Sequence, residues 1–209
     1  MGYFRLMIRF LIVCSIGLFV GNLTASPILP LSDPNAVQFP SDNGEHLTFK
    51  GIPIDGPFSS FKASMQAEGF EFLGTEGQAH GFSGIFLGQK VTVVAMEGSG
   101  TIYRVGVVFE EQEVWSILKG QYLNIKSLLT AKYGDPIDVV EEFQESYMEG
   151  GGHEVHYLER DQCTYQSTFQ SSDDVGTVQL KLTNLPCVGL IYEDKINAER
   201  VANQYIDDL

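Results

Sequence analysis

Apolar residues in this chain recur at two spacings, one near four and one of two, and the changes between them mark out its elements. Phe58, Phe61 and Met65 fall at offsets of three and four, one face of a helix, between Asp55-Gly56-Pro57 and Gly69. Pro57 suits a first helical turn, where its missing N–H has no helical partner, and Gly69 suits the exit. A longer helix is predicted over 114–133. There Val114, Leu118, Tyr122, Ile125, Leu129 and Tyr133 form a stripe, widened by Trp115 and Leu128 and stopped by Gly134-Asp135-Pro136. A last helix is predicted over 197–209, with Ala198, Val201, Ala202 and Tyr205 on one face.

The spacing of two marks strands. A short one is expected within 47–54, and Phe70 and Phe72 open another. Residues 82–87 and 90–96 pair through a tight Gly88-Gln89 turn. Further strands are expected at 101–110, 137–143, 153–158, 162–169, 176–183 and 187–192. In 176–183, Val178, Leu180 and Leu182 oppose Thr177, Gln179, Lys181 and Thr183, the pattern of an antiparallel sheet with one wet side. The second face of 101–110 is only partly polar, so packing on that side is expected too. The expected fold is α+β: two layers, an antiparallel sheet against helices. Residues 46–209 form one domain with two candidate subrepeats, 46–111 and 112–209, each a helix plus strands. Lysine, a small residue, an apolar residue and alanine stay in register between 61–70 and 125–134.

The N-terminus changes the setting. Arg5 and Arg9 precede an apolar run, Phe10 to Val20, and a small-residue exit near Ala25. This is the pattern of a cleaved secretory signal over 1–25; eleven apolar residues fall short of the about 20 that cross a bilayer. Cys14 lies in mid-run without a small residue before it, which argues against lipidation. The expected location is therefore the periplasm of a Gram-negative cell or the medium, with no stable membrane span once the signal is cleaved. Residues 26–45, with four prolines, read as an extended leader. Without residues 1–25 the chain keeps 11 cationic and 27 anionic side chains, a net charge of −16. Such a chain repels nucleic acid.

Candidate chemistry is sparse. An oxidising compartment permits a Cys163–Cys187 disulfide, and only that pairing exists in the mature chain. The predicted meander opposes it, because it puts the two cysteines on next-but-one strands, about 9.6 Å apart against the about 5.5 Å a disulfide prefers. His153 and His156, read as strand residues, point to opposite faces and make no metal pair. Gly98-Ser99-Gly100 is followed by a strand, so it is no nucleophile elbow. Gly150-Gly151-Gly152 does not open a helix and is no phosphate cradle. No cofactor or metal site is expected. Tyr147, Tyr157 and Tyr165, with Trp115, are the candidates for a carbohydrate- or peptide-binding face.

Residues Leu47 to Gly56 followed by Phe61 and Gly69-Phe70, together with Leu128 to Pro136, resemble exported proteins of unknown function from Bacteroides-type bacteria. The tandem order of helix and strands over 46–209 resembles the beta-lactamase-inhibitor-protein-like architecture. No catalytic residue comes with either resemblance. The leading expectation is an exported, non-enzymatic domain that recognises protein, peptide or surface glycan. A hydrolase with an unrecognised site, or a structural envelope component, are the alternatives.

Overall fold

The fold comes from a computed structural model, which describes residues 46–171 and 173–207, all within one compact unit that spans Asp42–Leu209. The segments read as a signal (1–25) and a leader (26–45), with Cys14, lie outside the described residues. The elements are β1 (Thr48–Phe49), β2 (Ile52–Pro53), α1 (Phe58–Ala67), β3 (Glu71–Glu76), β4 (Ala79–Phe86), β5 (Gln89–Gly98), β6 (Thr101–Phe109), α2 (Trp115–Tyr133), β7 (Asp138–Phe143), α3 (Glu154–Glu159), β8 (Cys163–Gln170), β9 (Gly176–Leu182), β10 (Val188–Asp194) and α4 (Lys195–Asp207). Eight strands form one antiparallel sheet in the order β3-β4-β5-β6-β10-β9-β8-β7, and the short hairpin β1-β2 stands apart from it. None of the described helices is long and apolar enough to cross a membrane.

Local chemistry explains the helix ends. Pro57 caps α1 in an extended conformation, and Gly69, at a φ of 84°, ends it with the Phe70 N–H donating to the Met65 carbonyl at 3.0 Å. Phe70 then turns inward beneath Gly84, where a Cβ would stand 2.4 Å from its ring. In α2 the predicted stripe holds at Leu118, Tyr122, Ile125 and Leu129, all buried, whereas Val114 and Leu128 are exposed.

The register shows how the core is filled. Phe82, Val93, Val107, Leu190, Leu180 and Ser167 lie side by side across β4, β5, β6, β10, β9 and β8, and all are buried. Ser167 is the polar member of this row. Tyr122 of α2 meets it at 2.7 Å and donates to Glu141 at 3.0 Å, which seats the helix. The neighbouring row on the other face runs Gly81, Val94, Gly106, Ile191, Gln179, Thr168 and Asp138. Val94 and Ile191 are buried, while Gln179, Thr168 and Asp138 are not. The wet side expected from 176–183 is thus present on β7, β8 and β9, and the same face opens again at Ser83, Ile85 and Lys90 toward the other edge. The centre of the sheet is buried on both faces, as the mixed pattern of 101–110 implied.

Three expectations need correction. The turn between β4 and β5 is Leu87-Gly88, because Phe86 pairs with Gln89; both turn residues have positive φ, 50° and 74°. Residues 153–158 are not a strand. Glu154 and Leu158, four apart, are the buried pair of helix α3, and the Tyr157 N–H donates to the His153 carbonyl at 2.9 Å. The Cys163–Cys187 disulfide is absent: both thiols are free and buried. β9 lies between β8 and β10, so the meander objection decides the matter. The faces differ as well. Cys163 pairs with Phe143, whose register places it on the side of Ser167 and Leu180, whereas Cys187 meets Thr183 on the side of Gly189 and Ile191.

Burial pushes both thiols up from an ordinary 9.0 to about 11. Below the lower value they are neutral in the folded and the unfolded chain alike. Between pH 9 and about 11 only the unfolded chain ionises, so the folded state holds more protons and stability falls as pH rises. Tyr122 and Tyr165, raised by burial, and Lys119, raised by its bond to Glu149, act in the same direction. Unfolding free energies from urea titration should drop across this window, by up to about 2–3 kcal/mol per thiol, and a thiol reagent at neutral pH should label neither cysteine until denaturant is added. Rapid native labelling would refute the burial.

Candidate functional site

At the β7 end of the sheet, five elements bring aromatic rings into one connected group. Trp115 opens α2, Phe143 ends β7, Tyr147 lies in the following loop, Tyr157 is on α3 and Tyr165 is on β8. Trp115 meets Tyr165 edge-on at 5.3 Å and Phe143 at 5.7 Å; Phe143 meets Tyr157 at 6.3 Å, and Tyr157 meets Tyr147 at 4.9 Å. Tyr122 closes the base, perpendicular to Tyr165 at 5.7 Å. Tyr165 is buried and so supports the group from beneath rather than presenting a surface of its own. Trp115, Phe143, Tyr147 and Tyr157 are half-buried and form a ledge with accessible ring area.

Two carboxylates fix this ledge. Glu149 accepts from Trp115 Nε1 at 2.9 Å and from Lys119 Nζ at 2.7 Å. The Lys119 bond holds the Glu149 carboxyl below its usual range, with the Trp115 bond adding to it. Glu154, buried at the start of α3, accepts from the Gly150 N–H at 2.5 Å and the Gly152 N–H at 3.2 Å. These backbone donors, with its own N–H, lower its pKa against the opposing effect of burial. The three-glycine loop is therefore an anion cradle after all, filled by a side chain of this protein. Glycine at 150 and 152 permits it, at φ values of 98° and 77°.

The loop binds the ledge to α2 and α3 at once, so the rings sit on a stiff base. The surroundings are strongly acidic: residues 138–161 carry eight carboxylates and a single arginine. Among the described residues, no group of three or more His, Cys, Asp or Glu is placed to hold a metal.

A second cluster lies near the other edge. Thr75 Oγ is 2.9 Å from His80 Nδ1, and His80 Nε2 is 3.1 Å from Glu97 Oε2. The carboxylate can only accept, so Nε2 carries a proton, and in the neutral imidazole Nδ1 is the acceptor for the threonine hydroxyl. His80 is buried and stacked on Phe58, with ring centres 3.5 Å apart. Both irregularities in the sheet register flank this trio, one between Phe72 and Gly74 and one between Met96 and Glu97. Bulges of this kind re-aim side chains.

The sequence-predicted tyrosines are thus neighbours, two accessible and one buried. Phe143, Lys119, Glu149 and Glu154 escaped sequence reasoning, as did the whole Thr75–His80–Glu97 chain. The i, i+4 spacing of Trp115 and Lys119 was the one available signal for the first group. No protein-family model matches this chain, and no curated protein or solved structure is significantly similar to it.

Proposed function

We propose that this protein is an exported, non-enzymatic recognition domain that binds protein, peptide or surface glycan through the ledge of Trp115, Phe143, Tyr147 and Tyr157. The observation that carries this reading is the braced, half-exposed aromatic surface on a scaffold whose other large apolar residues mostly pack into its core. Stiff aromatic rings offer contact area at low entropic cost. The proposed architecture is a tandem one resembling the beta-lactamase-inhibitor-protein-like fold. In support, α1 precedes the meander β3–β6 and α2 precedes β7–β10, with the last strands of the two groups paired antiparallel. The helix register Phe61/Met65 against Ile125/Leu129 also matches buried residue to buried residue.

The test is a panel of immobilised peptides and glycans probed with the purified protein. Tyr157→Ala should weaken capture by about tenfold or more and leave the thermal midpoint nearly unchanged, because Tyr157 is only half-buried. Undiminished capture by Tyr157→Ala and Tyr147→Ala together would remove the ledge from the function.

One observation favours the hydrolase alternative, namely the hydroxyl–imidazole–carboxylate chain at Thr75, His80 and Glu97. In that reading Thr75 Oγ gives its proton to His80 as it attacks an acyl carbon. The leaving alcohol takes that proton, and water later cleaves the acyl-threonine. Its signature is release of nitrophenol from p-nitrophenyl acetate that is lost in Thr75→Ala and falls steeply in Glu97→Gln. Equal rates in wild type and Thr75→Ala would assign the trio to structure alone.

A further inference from the structure

We infer that the outer edge of β7 is a docking site for an extended basic peptide, which adds to the sheet as a ninth strand and ends against the aromatic ledge. This rests on the recognition reading above and names the ligand class.

The eight-stranded sheet has two edge strands, β3 and β7, and they differ. β3 is broken by its bulge between Phe72 and Gly74, and Lys62 Nζ sits 3.9 Å over the Phe72 ring. Both features blunt an edge. β7 runs six residues in unbroken register with β8. The Gln144 N–H donates to the Gln162 carbonyl, and the register carries this alternation back through Glu142 and Val140, while at the start of the strand the Ile137 N–H turns inward to the Thr168 carbonyl at 2.8 Å. The N–H and C=O groups of Val139, Glu141 and Phe143 therefore point outward. Ile137 and Val139 are exposed beside them, at 62% and 43%.

Charge chooses the occupant. Asp138, Val140 and Glu142 share one sheet face, so two carboxylates flank an apolar position there, and Glu142 is exposed. On the other face Glu141 is already engaged by Lys126 at 2.6 Å and by Tyr122. A second copy of this chain fits poorly. Antiparallel self-pairing centred on Val140 sets Asp138 opposite Glu142 twice, and like charges in cross-strand pairs destabilise. An incoming strand with lysine or arginine at alternate positions satisfies both carboxylates and the free backbone groups. Phe143 belongs to both β7 and the ledge, so a peptide following the edge delivers its last side chain to Tyr157 and Trp115.

The experiment uses the purified protein and a short peptide that alternates lysine with valine and ends in tryptophan, monitored by calorimetry at two salt concentrations. A control peptide has the same sequence with alternate backbone amides N-methylated. Binding to the first peptide, weakened by salt and lost with the second, is the expected result. Val139→Pro removes an outward N–H that the sheet does not use, so it should keep the fold and weaken binding by about tenfold. Should that variant fold poorly, Asp138→Lys with Glu142→Lys provides the second arm and should shift preference to a glutamate–valine peptide. Equal affinity for the N-methylated peptide, or unchanged affinity in both variants, overturns the inference. If Tyr157→Ala abolishes binding while Val139→Pro does not, the ledge stands and the edge does not. A wild-type dimer that Val139→Pro dissociates would identify a second copy as the occupant and also overturn it.

Discussion

Asp194→Ala lowers the stability of the domain by about 3–5 kcal/mol, a large part of the whole for a domain of this size. Asp194 is the last residue of β10, fully buried, and three donors converge on it. Leu47 N–H meets Oδ2 at 2.8 Å, while Asn197 N–H at 2.9 Å and His46 Nδ1 at 3.1 Å meet Oδ1. The Asn197 contact is the N-cap bond of α4, for which alanine substitution alone costs about 0.5–2 kcal/mol. The Leu47 N–H belongs to a fully buried residue, and without the carboxylate it has no acceptor here. The damage also spreads. Asn197 donates onward to the Ile54 carbonyl at 3.0 Å and to Asp55 at 2.9 Å, and its own carbonyl accepts from Arg200 at 2.9 Å. Urea denaturation of Asp194→Ala against wild type measures the effect. Asp194→Asn, which keeps the acceptor oxygen, should recover part of it. A loss below about 1 kcal/mol would mean that water replaces the carboxylate.

This network was invisible in the sequence, although most of the fold was not. α1 and α2 were legible because one apolar stripe and its stop signals coincide in each. Phe61 and Met65 lie between Pro57 and Gly69, and Leu118 to Leu129 lie ahead of Gly134. β9 was legible because strict alternation survives where one face is wet. Residues 153–158 were misread for a definite reason. With Glu154 as one of its two buried positions, α3 shows a single apolar core residue, and no helical period is visible until the glycine loop is seen to wrap that carboxylate.

The polar sites share a different obstacle. Asp194 and His46 are 148 residues apart, and Trp115 and Glu149 are 34 apart. The first pairing is created by the docking of the β1-β2 hairpin against β10, the second by the passage of α2 across to β7. Local pattern contains none of that. The disulfide shows the converse case: compartment favoured a bridge, but strand order and the pleat put Cys163 and Cys187 on opposite faces, and geometry prevails over permission.

Phe49→Ala should cost about 3–5 kcal/mol, the second large loss. β1 and β2 pair over only two residues each, and a ladder of that length has no independent stability. Burial holds it in place: Leu47, Phe49 and Ile54 are fully inaccessible and Ile52 nearly so. Phe49 is the centre of this plug, with ring centres 5.3 Å from Phe86, 5.5 Å from Tyr192 and 6.0 Å from Phe70. It thereby bridges β1 to β4, to β10 and to the segment that leaves α1. Alanine leaves a cavity walled by three rings that cannot collapse together, because each is anchored in a different element. Phe49→Leu should cost clearly less. The measurement is a double-mutant cycle with Asp194→Ala by urea denaturation. Both side chains hold the same hairpin, one through the Leu47 N–H and one through the core. Once either is removed the hairpin is partly released, so the double variant should lose less than the two single losses combined. Strict additivity would show that the carboxylate acts through α4 alone and that Phe49 alone docks the hairpin.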